Sequence, residues 1–193
     1  MKLNLGSGED YRLGWVNLDY NEASGPDVVW DMTKLPLPFK DNTFDEIIMI
    51  HVLEHFYNPL EIINELWRIG KPGCKITIKV PHWSCHFAYG DLTHKSYFSS
   101  RSFSHFNLEK EYYNKEARFS ANIKLNCLNA RGRFHCQVIN ALLNPLLNLS
   151  FSFTENLLCR IFPIYEIINE LTVEKKETIE PLKESPKQNE LKS

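Results

Sequence analysis

The chain has 193 residues, 43% of them hydrophobic and 12% aromatic, enough apolar surface for one sizeable core, so a single domain is expected. A net charge of −2 leaves no electrostatic footprint for nucleic acid. Five cysteines without framework spacing, Cys74, Cys85, Cys127, Cys136 and Cys159, read as reduced thiols of a cytoplasmic protein, and no signal peptide is expected because a core strand follows Met1-Lys2 at once.

Leu3-Asn4-Leu5-Gly6-Ser7-Gly8 reads as a buried strand running into a glycine turn, where main-chain N–H groups can approach a small ligand. Trp15 to Asp19 is a second strand ending in a carboxylate, which can accept from both hydroxyls of a ribose. Val28 to Asp31 is a third strand, again ending in Asp. The connection from Gly6 to Gly14 has room for only a turn or two of helix, and no helix precedes the first strand. After the stiff loop Leu35-Pro36-Leu37-Pro38-Phe39, the apolar run in Phe44 to His55 suits a strand covered on both faces.

Asn58, Pro59 and Glu61 predict a helix start with a capping box, and Leu60, Ile63, Leu66 and Trp67 give an apolar stripe that Gly70 and Pro72 end. Trp67 is expected in the core. Lys75 to Pro81 alternates as the fifth strand. His82 to Phe98 then leaves the strand end rich in reactive side chains. His82, Cys85, His86 and His94 match no common zinc spacing and show no acidic second shell, so no metal is expected.

Arg118 to Leu128 alternates as a sixth strand, and Arg118, Lys124, Arg131 and Arg133 read as a solvated basic face. Gln137 to Thr154 carries no charge and is nearly long enough to cross a bilayer, but Asn140, Asn144, Pro145 and Asn148 argue against a span. It is expected instead to form a lid beside His86 and His94. A short helix stopped by Pro163 and a last alternating strand, Tyr165 to Lys175, complete a domain over residues 1–176. Residues 177–193, rich in Lys, Glu and Pro, are expected to be a disordered tail.

The ordered set Gly-x-Gly, strand-end Asp, Asp31-Met32-x-x-Leu35-Pro36, Phe44-Asp45-x-Ile47 and Val52-Leu53-Glu54-His55 resembles the class I S-adenosylmethionine-dependent methyltransferases of the type 11-like kind, over about Lys2 to Pro81. Asp91-Leu92-Thr93-His94 is similar to an Asp-Pro-Thr-His segment of some relatives. The resemblance implies a three-layer α/β, Rossmann-like fold with a mostly parallel sheet and an antiparallel last strand inserted beside the fifth. It implies S-adenosyl-L-methionine as cofactor, with Gly6, Ser7 and Gly8 under its methionine part, Asp19 on the ribose, Asp31 and Met32 facing the adenine, and His51 beside the methionine. The implied activity is methyl transfer, and the uncharged stretch read as a lid points to a small or amphiphilic acceptor, such as a hydroxyl of a glycan, lipid or metabolite.

An acceptor hydroxyl needs a base, for which His94 is the first candidate, with Asp91 to orient its ring, followed by His86 and His55. Expected partners are a small-molecule or lipid-linked acceptor, with at most peripheral membrane contact, and a homodimer stays open. Two other classes stay open as well. One is a degenerate, non-catalytic subunit of this fold that binds cofactor or a partner enzyme; the other is an NAD enzyme, against which Tyr11 stands at the third glycine position of Gly-x-Gly-x-x-Gly.

Overall fold

The computed structural model describes residues 1–104, 118–126, 134–161 and 163–175. Seven strands form one sheet in the order β3-β2-β1-β4-β5-β7-β6: β1 Lys2–Leu5, β2 Val16–Asp19, β3 Val28–Val29, β4 Phe44–Ile50, β5 Gly70–Pro81, β6 Arg118–Asn126 and β7 Glu166–Glu174. The first five pair in parallel, and β7 runs antiparallel between β5 and β6, as the resemblance implies for a Rossmann-like sheet. Leu3 and Leu5 on one face of β1 and Asn4 on the other are all buried, as are Ile47 and Met49 on one face of β4 and Ile48 on the other, the signature of central strands covered on both faces. In β7 the strict alternation of Ile167, Asn169, Leu171 and Val173 turns one complete face inward.

The described helices are α1 Pro59–Ile69, α2 His86–Gly90, α3 Ser100–Ser104, α4 Phe134–Leu149, and a bent segment made of α5 Phe151–Phe153, a π turn Thr154–Leu158 and α6 Cys159–Ile161. Between β1 and β4 the chain has only the 3₁₀ turn Glu22–Ser24, so three parallel strands are joined without a crossover helix. The substitute is side-chain bonding inside the loops. Asn17 of β2 accepts from Arg12 N at 2.9 Å through Oδ1 and donates to Arg12 O and Asp27 through Nδ2.

Several expectations are adjusted by local geometry. The third strand stops at Val29, because Asp31 caps its own turn, accepting from the N–H and hydroxyl of Thr33. The fifth strand starts at Gly70 rather than Lys75, since Gly70 already pairs with Phe44 and the ladder absorbs the turn residues as an irregularity. The capping box of α1 is replaced by a side-chain bond, Asn58 Nδ2 donating to Glu61 Oε1 at 2.8 Å. Trp67 does pack against the core and donates to the Glu174 carbonyl at 3.1 Å.

The uncharged stretch forms α4 and the bent segment after it. Its asparagines fasten α4 to the sheet edge: Asn148 accepts from Leu125 N and donates to Leu125 O, and Asn144 donates to Asn126. Leu147 is buried, while Leu142, Leu146 and Leu149 are exposed. Among the described residues no helix is long and apolar enough to cross a membrane. The tail expectation, Arg131, Arg133 and the end of the predicted sixth strand lie outside the described residues.

Candidate active site

The site is assembled at the carboxyl ends of β1, β2, β4 and β5. Gly6 (φ 72°) and Gly8 (φ 46°) turn the chain after β1, and both Gly6 N and Ser7 N donate to Leu18 O, locking the turn to β2. A Cβ on Gly6 would lie 2.4 Å from Val52 Cγ2, so the turn and the segment after β4 touch directly. Above Gly8 the space is open. Asp19, buried at the end of β2, accepts from Gly8 N at 2.8 Å through Oδ2 and from Asn21 N at 2.9 Å through Oδ1. Each oxygen keeps lone-pair capacity beyond that bond. Ser7 Oγ is buried and makes no hydrogen bond.

A second constellation follows β4. His51 takes a left-handed backbone (φ 54°), which a non-glycine residue adopts only at a cost of roughly 1–3 kcal/mol. Its ring lies between two carboxylates, Nδ1 at 3.5 Å from Glu54 and Nε2 at 3.6 Å from Glu166. Burial opposes the charged ring, but the two carboxylates outweigh it and hold the imidazole up at about 9. The 3₁₀ turn Leu53–His55 then meets the loop after α2 through the main chain: Lys95 N and Ser96 N both donate to Glu54 O, at 2.8 and 3.0 Å. That double bond brings Asp91 to His94 against Glu54 and His55, about forty residues earlier in the chain.

Hydrogen bonds fix which ring nitrogen carries the proton in both histidines. His94 Nδ1 faces the Ala88 carbonyl at 2.9 Å, and a carbonyl only accepts, so in the neutral ring Nδ1 is the N–H and Nε2 holds the lone pair. Thr93 Oγ1 donates to Asp91 Oδ1 at 2.6 Å and therefore accepts from His55 Nδ1 at 3.0 Å, leaving Nε2 of His55 with its lone pair as well. The two rings stand edge to face, 4.9 Å between centroids. Glu54, 1% exposed, has neither carboxylate oxygen within hydrogen-bonding geometry of a donor, and Oε1 is 4.0 Å from His94 Nε2. These groups, with Pro81, Phe87 and Tyr165, line a recess of about 280 Å³.

Among the residues singled out in the sequence, His51, His55, Asp91 and His94 meet at this recess, while Gly6, Ser7, Gly8 and Asp19 form the turn beside it. Asp91 does not orient His94. Its Oδ1 is occupied by Thr93, its Oδ2 is 4.0 Å from Nε2, and the Ala88 carbonyl sets the ring instead. His86 begins α2 exposed, its ring against Phe87, and does not line the recess. Asp31 is exposed in its turn and Met32 is buried in the core. No residue of 137–154 lines the recess, which is walled by Phe87 and Tyr165, so the expected lid gives way to a helix clipped to β6.

Sequence reasoning missed Glu54 and Thr93. Glu54 stood inside a quoted motif between Leu53 and His55, where a carboxylate flanked by apolar residues was the available signal.

A different polar cluster lies behind β5. Glu155 of the π turn accepts from His82 Nε2 at 3.1 Å, Trp83 Nε1 at 2.8 Å and Ser100 N at 2.6 Å. His82 Nδ1 accepts from Ser84 N, which makes Nε2 the donor. Burial raises the Glu155 carboxyl, but the donors outweigh it and bring it down to about 2. Burial lifts the free thiols of Cys74, to about 11, and of Cys85 and Cys159.

Residues 10–78 match the family model described as a methyltransferase domain. Over 46 residues the chain is 52% identical to the uncharacterized protein MJ0638 of Methanocaldococcus jannaschii; that match covers 24% of this chain and 20% of the relative. The fold is similar to a SAM dependent methyltransferase from Archaeoglobus fulgidus, with 18% identity, 90% of this chain and 85% of the other covered, and a TM-score of 0.57. It is similar too to the plantazolicin methyltransferase BpumL, solved with a monoazolic desmethylPZN analog and SAH, with 14% identity, 90% and 76% covered, and a TM-score of 0.53. At these identities the likeness is one of fold.

Proposed function

We propose that this chain, a class I S-adenosylmethionine-dependent methyltransferase by its fold and by the match over residues 10–78, moves a methyl group from S-adenosylmethionine to a hydroxyl of a small or amphiphilic acceptor, such as a glycan, lipid or metabolite. When bound, the cofactor supplies a methyl carbon already activated by its sulfonium. The residues around the glycine turn fit it. Gly8 leaves open space over the strand end, Ser7 Oγ is buried without a partner, and the spare lone pairs of Asp19 suit the two ribose hydroxyls. His51 is assigned to the methionine side, with both of its ring nitrogens already facing carboxylates, Glu54 and Glu166. Asp31 and Met32 are assigned to the adenine side.

The remaining work is alignment, exclusion of water and removal of one proton. His94 Nε2, a lone pair fixed in direction by the Ala88 carbonyl and turned to the recess, accepts the acceptor's proton as its oxygen attacks. Phe87 and Tyr165 supply apolar walls for the acceptor. The observation that carries this reading is the pinned lone pair of His94 beside the ends of the same strands that hold the glycine turn. The test is calorimetry with S-adenosylmethionine and NAD in parallel, followed by transfer of a labelled methyl group to glycan, lipid and metabolite fractions. Heat with S-adenosylmethionine alone and label in one fraction are expected; binding of neither nucleotide overturns the reading.

A further inference from the structure

We infer that Glu54, His55 and His94 form a binding site for one divalent transition-metal ion of the zinc class, held by a carboxylate and two imidazoles. The inference goes beyond methyl transfer and does not rest on it. One oxygen of Glu54 and one ring nitrogen from each histidine all lie within 4.8 Å of one another. A tetrahedral zinc ion needs its ligand atoms about 3.3 Å apart, from bond lengths of about 2.0–2.2 Å, so binding draws the three side chains closer than they stand here.

Three features point to a cation, the second and third being two consequences of the same pair of hydrogen bonds. First, Glu54 has 2% of its side chain exposed and no hydrogen bond on either oxygen; His51 faces Oε1 at 3.5 Å, outside hydrogen-bond geometry, and Oε2 is buried with no partner at all. Its nearest groups are His51 Nδ1 at 3.5 Å and His94 Nε2 at 4.0 Å. Second, both histidines offer the lone pair a metal requires, because each Nδ1 proton is already committed. Third, those commitments are the outer-shell bonds that metal-ligating histidines characteristically make: His94 to a backbone carbonyl, His55 to Thr93 and through it to the Asp91 carboxylate. Two imidazoles and one carboxylate suit zinc and its neighbours, and this ligand count leaves coordination positions free on the recess side. The ion and a proton compete for the same nitrogen of His94, so the loaded and metal-free proteins are chemically distinct forms.

The test uses the full chain stripped with chelator and titrated with Zn²⁺, then with Co²⁺ to read the ligand-field spectrum, in the absence of cofactor and acceptor. One equivalent is expected to bind. Glu54→Gln and His55→Ala should each weaken binding by on the order of a hundredfold or more, and Thr93→Val, an exposed and conservative change, by about 10–100-fold through the lost outer-shell bond. His86→Ala, at an exposed histidine outside the cluster, should bind as the parent does. Melting curves of each variant show whether it is folded. Absence of binding, or binding that survives both Glu54→Gln and His55→Ala in folded protein, overturns the inference. Because no nucleotide is present, that outcome leaves the methyl-transfer reading standing, and failure of the calorimetry above leaves the metal site standing.

Discussion

Two buried carboxylates stand beside histidines at the same end of the sheet, and they are wired in opposite ways. Glu155 takes three donors, from His82, Trp83 and Ser100, and is held far below the ordinary carboxylate range. Glu54 is buried more deeply still and makes no hydrogen bond, with only His51 Nδ1 at 3.5 Å and His94 Nε2 at 4.0 Å facing it. Both Glu155 oxygens are hydrogen-bonded within the chain, which ties the segment after β5 to the π turn. Around Glu54 the polar groups are held in place by the main chain but left open toward the recess. The difference separates a corner built to hold the fold from a corner built to receive something.

The largest expected effect tests the first half of that contrast. Glu155→Ala strands the His82, Trp83 and Ser100 donors and should lower unfolding free energy by about 3–5 kcal/mol, measured by urea titration. The same wiring predicts acid sensitivity. The folded-state value of about 2 lies below the ordinary 4.5, so this contribution is full above the ordinary value and drains away as pH falls from it toward about 2. In Glu155→Gln that part of the acid slope should vanish. A variant as stable as the parent breaks the contrast.

Next in size is His94→Ala, which should cost turnover roughly a hundredfold while leaving cofactor affinity in place, as expected for a lost base. A parallel loss of melting temperature would move His94 to the structural side of the comparison. Asp19→Asn keeps an acceptor for the turn but removes the charge, and should weaken S-adenosylmethionine binding by on the order of 2 kcal/mol, read by calorimetry. Unchanged affinity would remove Asp19 from the cofactor assignment. The smallest change is expected at Glu54→Gln: unfolding free energy within about 1 kcal/mol of the parent, since no hydrogen bond is lost, Gln keeps an oxygen toward His51 in place of the 3.5 Å ion pair, and Glu166 still faces the other ring nitrogen. A loss on the scale of Glu155→Ala would show the two corners to be alike.

Much of the sheet was legible because period and composition carry it. The apolar run of β4, the alternation of β5 and β7 and the carboxylate closing β2 are local patterns, and each survives folding unchanged. The recess was legible only in part. His51, His55, Asp91 and His94 could be singled out as reactive side chains, but the ring of His94 is set by a backbone carbonyl, which leaves no residue signature in the sequence. Glu54 gains its character from Lys95 and Ser96 closing over its carbonyl, a contact made across some forty residues. The uncharged stretch misled for the opposite reason. Its lack of charge suggested a cover for the site, whereas Asn144 and Asn148 serve as clips to β6.

The two bonds from Lys95 N and Ser96 N to Glu54 O belong to the main chain, and no change of side chain can delete them short of proline. The backbone on which His94 is mounted is thereby uncoupled from the side chains of Phe87, Tyr89 and Leu92, all of them exposed. Phe87, the one of the three that lines the recess, can then be varied while the groups mounted on this main chain stay where they are.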